Sequence, residues 1–219
     1  MQRKRLWVHS THRTPLSLHP GRSLATWAAA LAGVVCIAAG VLLAVGPDGS
    51  ADVGVVPAAA AVPAAAAVPN AAGTVPVAVG LPDRRVSAPV VPTGTTPDGA
   101  LVVPGPPTTV GWWSPGALAG APSGTTVLAG HVDSAAAGLG TFAVLRQVGV
   151  GERVELRGAD GRTLAYRVVA RRQLEKADLP ADLFAHDGPP RLVLITCGGR
   201  FDRTTRHYTD NVIVYTEPV

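Results

Sequence analysis

The sequence predicts an all-β domain over residues 84–219, with an apolar helix and a linker before it. From Arg84 onward, short apolar and β-branched runs alternate with turn signals such as Thr96-Pro97-Asp98-Gly99. Many short strands at this spacing are typical of a barrel or a sandwich. The predicted strands are Arg85–Val91, Leu101–Val103, Thr125–His131, Arg153–Arg157, Thr163–Arg171, Leu192–Cys197 and Asn211–Thr216.

The connections between these strands carry further signals. The segment GADGR, residues 158–162, lies between ERVEL and TLAYRVV and predicts a β-hairpin. Two segments, Thr141–Val148 and Ala177–Phe184, are predicted to form short helical turns. About 136 residues are enough for one sizeable core, so a single folded domain is expected.

Residues 24–45 predict a transmembrane helix. These 22 residues carry no charge, and at 1.5 Å per residue the helix would be about 33 Å long, enough to cross a bilayer. All five basic residues of the N-terminal 45 precede the run. The positive-inside rule then keeps residues 1–23 in the cytoplasm and exports the C-terminal domain. A cleaved signal peptide is the alternative, but its apolar region is usually about 7–15 residues. We therefore expect a single-pass anchor in the cell membrane, with the folded domain outside.

Residues 46–83 predict a linker. The sequence VPAAAA occurs twice, and proline recurs every six or seven residues. Proline at that spacing ends each alanine helix before two turns form. A semi-extended spacer of 38 residues could reach roughly 120 Å.

Charge and motifs exclude several classes of function. The net charge of +4 comes mostly from the N-terminal tail, because residues 84–219 hold fourteen Lys and Arg against twelve Asp and Glu. A nucleic-acid interface is therefore not expected. The chain has no HExxH, CxxC, GxSxG, P-loop or GxGxxG motif, so neither a metal site nor a cofactor is expected.

The two cysteines give the strongest indication of chemistry. Cys36 lies in the predicted membrane helix and Cys197 in the exported domain, so they cannot pair within one chain. A buried cysteine acting as a small apolar residue is one interpretation of Cys197. Its position favours the other, a reactive thiol, because it ends the apolar run LVLIT and precedes Gly198-Gly199. A strand that ends there would place the thiol at a rim open to substrate.

A reactive thiol needs an acid-base partner. The predicted domain has three histidines, His131, His186 and His207. His131 is the best candidate because it also ends an apolar strand beside a glycine. Asp133 follows it closely, either to orient His131 or to cap a turn.

The motifs together resemble those of a known family. In chain order they are Pro97-Asp98-Gly99-Ala100-Leu101, Val110-Gly111-Trp112-Trp113, Val127-Leu128-Ala129-Gly130-His131-Val132-Asp133, Leu194-Ile195-Thr196-Cys197-Gly198-Gly199, Phe201-Asp202 and Tyr208-Thr209-Asp210-Asn211-Val212-Ile213-Val214. Behind a membrane anchor, this order resembles the sortases of class F (or class E) of high-GC Gram-positive bacteria, over residues 84–219.

The resemblance implies an eight-stranded β-barrel and a His-Cys-Arg site. Cys197 would attack the carbonyl after Thr in an LPxTG-like sorting signal of secreted surface proteins, and His131 would protonate the leaving amine. An amine of a cell-wall precursor, or water, would resolve the thioester. Arg206, with Arg203 as the second candidate, would stabilise the oxyanion, and Thr196 would help to shape the substrate-binding site.

Three other classes remain as alternatives. An L,D-transpeptidase would place Ser-His-Gly-Cys at its nucleophile, whereas this chain has Thr-Cys-Gly-Gly. A cysteine protease would differ only in using water as the acceptor. A non-enzymatic surface module would leave the single thiol of the domain unexplained.

Overall fold

The computed structural model describes residues 52–57 and 73–219. Within these two ranges there are eleven strands: β1 Val53–Gly54, β2 Pro76–Leu81, β3 Val86–Thr93, β4 Val110–Trp113, β5 Thr125–Ala129, β6 Asp133–Ser134, β7 Gly138–Leu139, β8 Arg153–Gly158, β9 Thr163–Glu175, β10 Arg191–Asp202 and β11 His207–Pro218. The described part of the chain also has four short 3₁₀ helices: Pro82–Arg84, Thr141–Gln147, Lys176–Asp178 and Ala181–Phe184.

Eight of the strands close into a barrel. Their order is β9-β11-β10-β5-β4-β3-β2-β8, and β8 pairs with β9 to complete the ring. The β5–β10 and β3–β4 pairs are parallel and the other pairs of the ring are antiparallel. The prediction of an all-β, eight-stranded barrel is confirmed, and the closure excludes the sandwich.

Strand β10 is buried on both faces. Leu192 and Leu194 belong to the main core, with Phe142 and Val214. The alternate residues Val193 and Ile195 belong to a second apolar cluster, against which Phe184 packs. This two-sided burial explains the uninterrupted apolar run that precedes Cys197.

Most predicted strands are confirmed, but their number and bounds differ from the prediction. Strand β10 continues past Cys197 to Asp202, so Cys197 lies within the strand and not at its end, and β5 ends at Ala129 rather than at His131. Leu101–Val103 is not a strand; Leu101 makes only an isolated bridge to Thr95. The prediction also missed β4, a four-residue strand whose two tryptophans follow a glycine. The predicted β8–β9 hairpin is present. Thr141–Gln147 forms a 3₁₀ helix as expected, and the second predicted turn is divided between two 3₁₀ helices.

The barrel begins earlier than the predicted boundary at residue 84. Strand β2 lies within the predicted linker and pairs with both β3 and β8. Strand β1 pairs with β9 at Arg171 and Ala170, beyond the residues that β8 covers. The sequence pattern missed β2 because its proline, Pro76, and its small residues resemble the repeats before it. The predicted tail 1–23, membrane span 24–45 and repeats over 58–72 lie outside the described residues. Within the described ranges, no helix has the length and apolar character needed to cross a membrane.

Candidate active site

Two parallel strands bring Cys197 and His131 to the same edge of the barrel. The register of β5 and β10 pairs Ala129 with Ile195. Parallel strands run in the same direction with matched spacing. His131 and Cys197, each two residues further along its chain segment, therefore also lie close to each other. Both line one cavity of about 610 Å³. The structure thus brings together the two residues that the sequence predicted as nucleophile and acid-base group.

The backbone at His131 is held from several sides. The carbonyl of His131 accepts a hydrogen bond from Phe142 N at 3.1 Å. The Thr196 hydroxyl donates to the carbonyl of Gly130 at 2.8 Å, and Thr196 itself is 3% exposed. A Cβ at Gly140 would lie 2.3 Å from the His131 carbonyl oxygen, so this close approach requires glycine. These contacts fix the path of the chain on which His131 is carried.

The side chain of His131 has one nitrogen engaged. Its Nε2 lies 2.7 Å from the carbonyl oxygen of Pro104. A carbonyl oxygen can only accept, so Nε2 must carry the hydrogen. We assign the unprotonated nitrogen of neutral His131 to Nδ1 on this basis. Nδ1 is then the atom that exchanges protons.

Cys197 is half-buried and unpaired, between two cavities. Burial raises the pKa of its thiol; the positive charge of Lys176 acts to lower that pKa, and the negative charge of Asp133 acts to raise it. Lys176 is exposed and lines both cavities with Cys197. The thiol is therefore sensitive to charge on either side.

The first cavity, which we call the apolar cleft, has a volume of about 420 Å³. Its apolar wall is formed by Leu101, Val103, Leu179, Phe184 and Ile195. Thr196 also lines this cleft.

A loop at the mouth of the apolar cleft is closed by hydrogen bonds. Thr96 accepts a backbone hydrogen bond from Ala100 through its hydroxyl at 3.0 Å. Asp98 lines the cleft, and its pKa is lowered by a hydrogen bond from the Thr96 side chain. The loop therefore places a carboxylate at the mouth of the cleft.

The second cavity is the polar cleft of about 610 Å³; besides Cys197 and Lys176 it is lined by His131, Val132, Asp133, Ser134, Ala135, Phe201, Arg206, His207 and Tyr208. Arg206 lies in the turn between β10 and β11 with a positive φ of 58° and is exposed. Arg203, in the same turn, is not among the lining residues.

Asp133 does not contact His131 through a hydrogen bond in the described structure. Its carboxylate accepts a hydrogen bond from the Tyr208 hydroxyl at 2.5 Å. That bond is the main cause that raises the pKa of Tyr208 to about 12. Of the two roles that the sequence left open for Asp133, neither matches this contact.

Lys176, His207 and Tyr208 were not predicted as site residues. Lys176 could have been noticed, because the only other lysine in the chain is Lys4. Tyr208 stands inside one of the motifs quoted above, but its contact with Asp133 spans 75 residues of sequence. Among the described residues, no group of three His, Cys, Asp or Glu side chains is arranged to hold a metal ion.

A closed eight-stranded barrel with a cysteine and a histidine at one edge defines a class of transpeptidases, and comparison with known proteins agrees. The sortase domain family matches residues 79–219. The chain therefore belongs to the sortase family and is a cysteine transpeptidase. No curated protein sequence matches it.

Solved structures with a similar fold are also sortases. A lid mutant of sortase A from Corynebacterium diphtheriae is 21% identical, with 69% of this chain and 74% of that chain covered and a TM-score of 0.50. Sortase C-1 from Actinomyces oris is 24% identical, with 65% and 72% covered and a TM-score of 0.48. At these identities the likeness concerns the fold.

Proposed function

We propose that this sortase resembles class F (or class E) and cleaves an LPxTG-like sorting signal after its threonine. The acyl group would pass from Cys197 to an amine of a cell-wall precursor, or to water. The observation that supports this most is the position of Cys197, half-buried where an apolar cleft and a polar cleft meet.

The first half-reaction forms a thioester. The Cys197 thiol gives its proton to Nδ1 of His131. The resulting thiolate attacks the carbonyl carbon of the threonine, and a C–S bond forms as the carbonyl π electrons move to oxygen. When the tetrahedral intermediate collapses, the C–N bond to glycine breaks. Protonated His131 gives its Nδ1 proton to the departing amine.

The second half-reaction reverses these roles. A neutral amine attacks the thioester carbonyl, Nδ1 of His131 accepts the proton from the attacking nitrogen, and the C–S bond breaks to release the thiolate. The Pro104 carbonyl holds the Nε2–H, so the same nitrogen serves in both directions. Water in place of the amine gives hydrolysis.

The oxyanion formed in both steps needs hydrogen-bond donors. Arg206 is our candidate because its guanidinium is permanently charged, offers several donors and lines the polar cleft with Cys197. The apolar cleft on the other side of the thiol suits the leucine and proline of a sorting signal. Thr196 contributes to that cleft through its position, since its hydroxyl is engaged with Gly130.

Residues 24–45 are proposed to anchor the enzyme in the cell membrane as a single span, with the barrel outside. The absence of charge over 22 residues and the basic residues before them support this orientation. Secreted proteins that carry a sorting signal would then meet the enzyme on the outer side.

Intact mass spectrometry of the full-length protein mixed with an LPxTG peptide tests the proposal. We expect a mass increase equal to the LPxT acyl fragment, released by hydroxylamine and absent in Cys197→Ala. The matched control is Cys36→Ser, which retains the adduct. A folded protein with a titratable thiol that forms no adduct with any peptide of a randomised LPxTG-like library would contradict it.

A further inference from the structure

The polar cleft contains a hydrogen bond that the reaction described above does not use. The Tyr208 hydroxyl donates to Oδ2 of Asp133 at 2.5 Å. Asp133 follows His131 by two residues, and Tyr208 follows Arg206 by two residues. One bond therefore joins the two segments that carry the proposed acid-base group and the proposed oxyanion donor.

Each end of this bond is fixed to its own structural element. Asp133 begins β6 and pairs with Leu139 of β7. Tyr208 stands near the start of β11, pairs with Phe201 of β10, and packs its ring edge-on against Phe201 with centroids 5.1 Å apart. The bond thus connects the loop after β5 to the tip of the β10–β11 hairpin, across the polar cleft.

The hairpin tip needs such a connection. Residues 201–207 are all exposed, and the register of β10 and β11 is interrupted between Gly198 and Phe201. Arg206 itself makes no side-chain hydrogen bond or ion pair to the residues that the structure describes. An exposed arginine on an irregular hairpin would sample many positions relative to Cys197, and misplacement of about 1 Å can cost a hundredfold in rate.

We propose that Tyr208 and Asp133 are a pair of positioning residues that hold Arg206 at a fixed distance from the Cys197–His131 edge. The pair acts through the backbone of the two segments and touches neither the thiol nor the scissile bond. It also accounts for Asp133, whose carboxylate faces Tyr208 while the His131 ring is held by Pro104. This inference rests on the proposed function, because it assumes the roles given to His131 and Arg206.

Four single variants of the full-length protein and one double variant, Tyr208→Phe with Asp133→Ala, separate positioning from simple stabilisation. Tyr208→Phe keeps the ring against Phe201 and removes the hydroxyl, whereas Asp133→Ala removes the acceptor. Asp133→Asn keeps an oxygen acceptor without the charge. Tyr166→Phe is the matched control, since its hydroxyl accepts a hydrogen bond from Gly120 N at a site lined by other residues.

We expect Tyr208→Phe and Asp133→Ala each to lower kcat for peptide cleavage about tenfold with little change in KM, as loss of a hydrogen bond to a charged group allows. The double variant should be no more than about twofold slower than either single variant, because the two residues act as one unit. Asp133→Asn should recover most of the rate. Tyr166→Phe should lower the melting temperature and leave kcat unchanged.

Two results would overturn the inference while the proposed function stands. The first is a Tyr208→Phe variant with the same kcat as an active wild-type enzyme. The second is a double variant whose kcat is about a hundredfold lower than that of the wild type, the product of the two single losses. A wild-type protein that forms no acyl adduct would instead contradict the proposed function. Adduct formation by the wild-type protein is therefore measured before any variant is made.

Discussion

At the scale of single residues, Cys197 is governed by burial and by two nearby charges of opposite sign. Burial raises the pKa of the thiol, while Lys176 and Asp133 act in opposite directions. The thiolate is the nucleophile, so every change in this pKa changes the fraction of reactive enzyme at a given pH. Lys176 is exposed, and added salt should weaken its effect.

We expect Lys176→Gln to move the pH midpoint of Cys197 alkylation upward and Asp133→Asn to move it downward. Removing the positive charge destabilises the thiolate, and removing the negative charge stabilises it. The rate of reaction with iodoacetamide against pH measures both shifts in a Cys36→Ser background. Lys176→Arg keeps the charge and serves as the control. The same alkylation midpoint in all of these proteins would show that neither charge affects the pKa of the thiol.

Arg206 combines the proposed oxyanion role with an unfavourable backbone conformation. Its φ of 58° lies in the left-handed region, which costs a non-glycine residue about 1–2 kcal/mol. We expect Arg206→Ala to lower kcat/KM about 10²–10³-fold. Arg206→Gly should be equally inactive but up to about 1 kcal/mol more stable than Arg206→Ala, measured by urea unfolding. Near-normal rates in both variants would transfer the role to Arg203.

At the scale of elements, the site is built by the parallel pairing of β5 and β10. The apolar run of β10, the place of Cys197 directly after that run, and His131 after β5 were evident in the sequence. What the sequence could not supply is that these strands are neighbours in register, because pairing depends on the whole barrel. The Tyr208–Asp133 contact could not be predicted for the same reason. Lys176, by contrast, could have been considered as a site residue.

Thr196 links these two elements beyond their strand pairing. Its buried hydroxyl donates to the carbonyl of Gly130, next to His131. We expect Thr196→Val to lower the free energy of unfolding by about 1–3 kcal/mol, because the buried carbonyl loses its donor. Thr196→Ser keeps the hydroxyl and should lose less. Chemical denaturation measures both, and equal losses would show that the methyl group, not the hydroxyl, is responsible.

At the scale of the whole molecule, closure of the barrel depends on residues that the sequence assigned to a linker. Strand β2 fills the place between β3 and β8. Without it the two neighbours would leave unpaired edges and an open core. The proline-rich composition hid this strand, since its pattern resembles that of the repeats.

We therefore expect a protein that begins at residue 84 to lose cooperative unfolding, whereas one that begins at residue 47 retains it. Circular dichroism during heating distinguishes the two, and a hydroxylamine-sensitive acyl adduct should form only with the longer protein. A cooperative transition in the shorter protein would show that β3 and β8 can close the barrel by themselves.

The pairing of strand β1 with the barrel shortens the stretch of chain between the proposed membrane span and the folded domain. Asp52 accepts a backbone hydrogen bond from Gln173, and Arg172 donates to the carbonyls of Val53 and Gly54. Only six residues, 46–51, separate the proposed span from this attachment, and six extended residues reach about 20 Å. If residues 24–45 are the anchor as proposed, a tether of that length would limit how far β1 can lie from the membrane. Since effective concentration falls steeply as a tether lengthens, the enzyme would serve substrates held at the membrane surface far better than proteins already free in the medium.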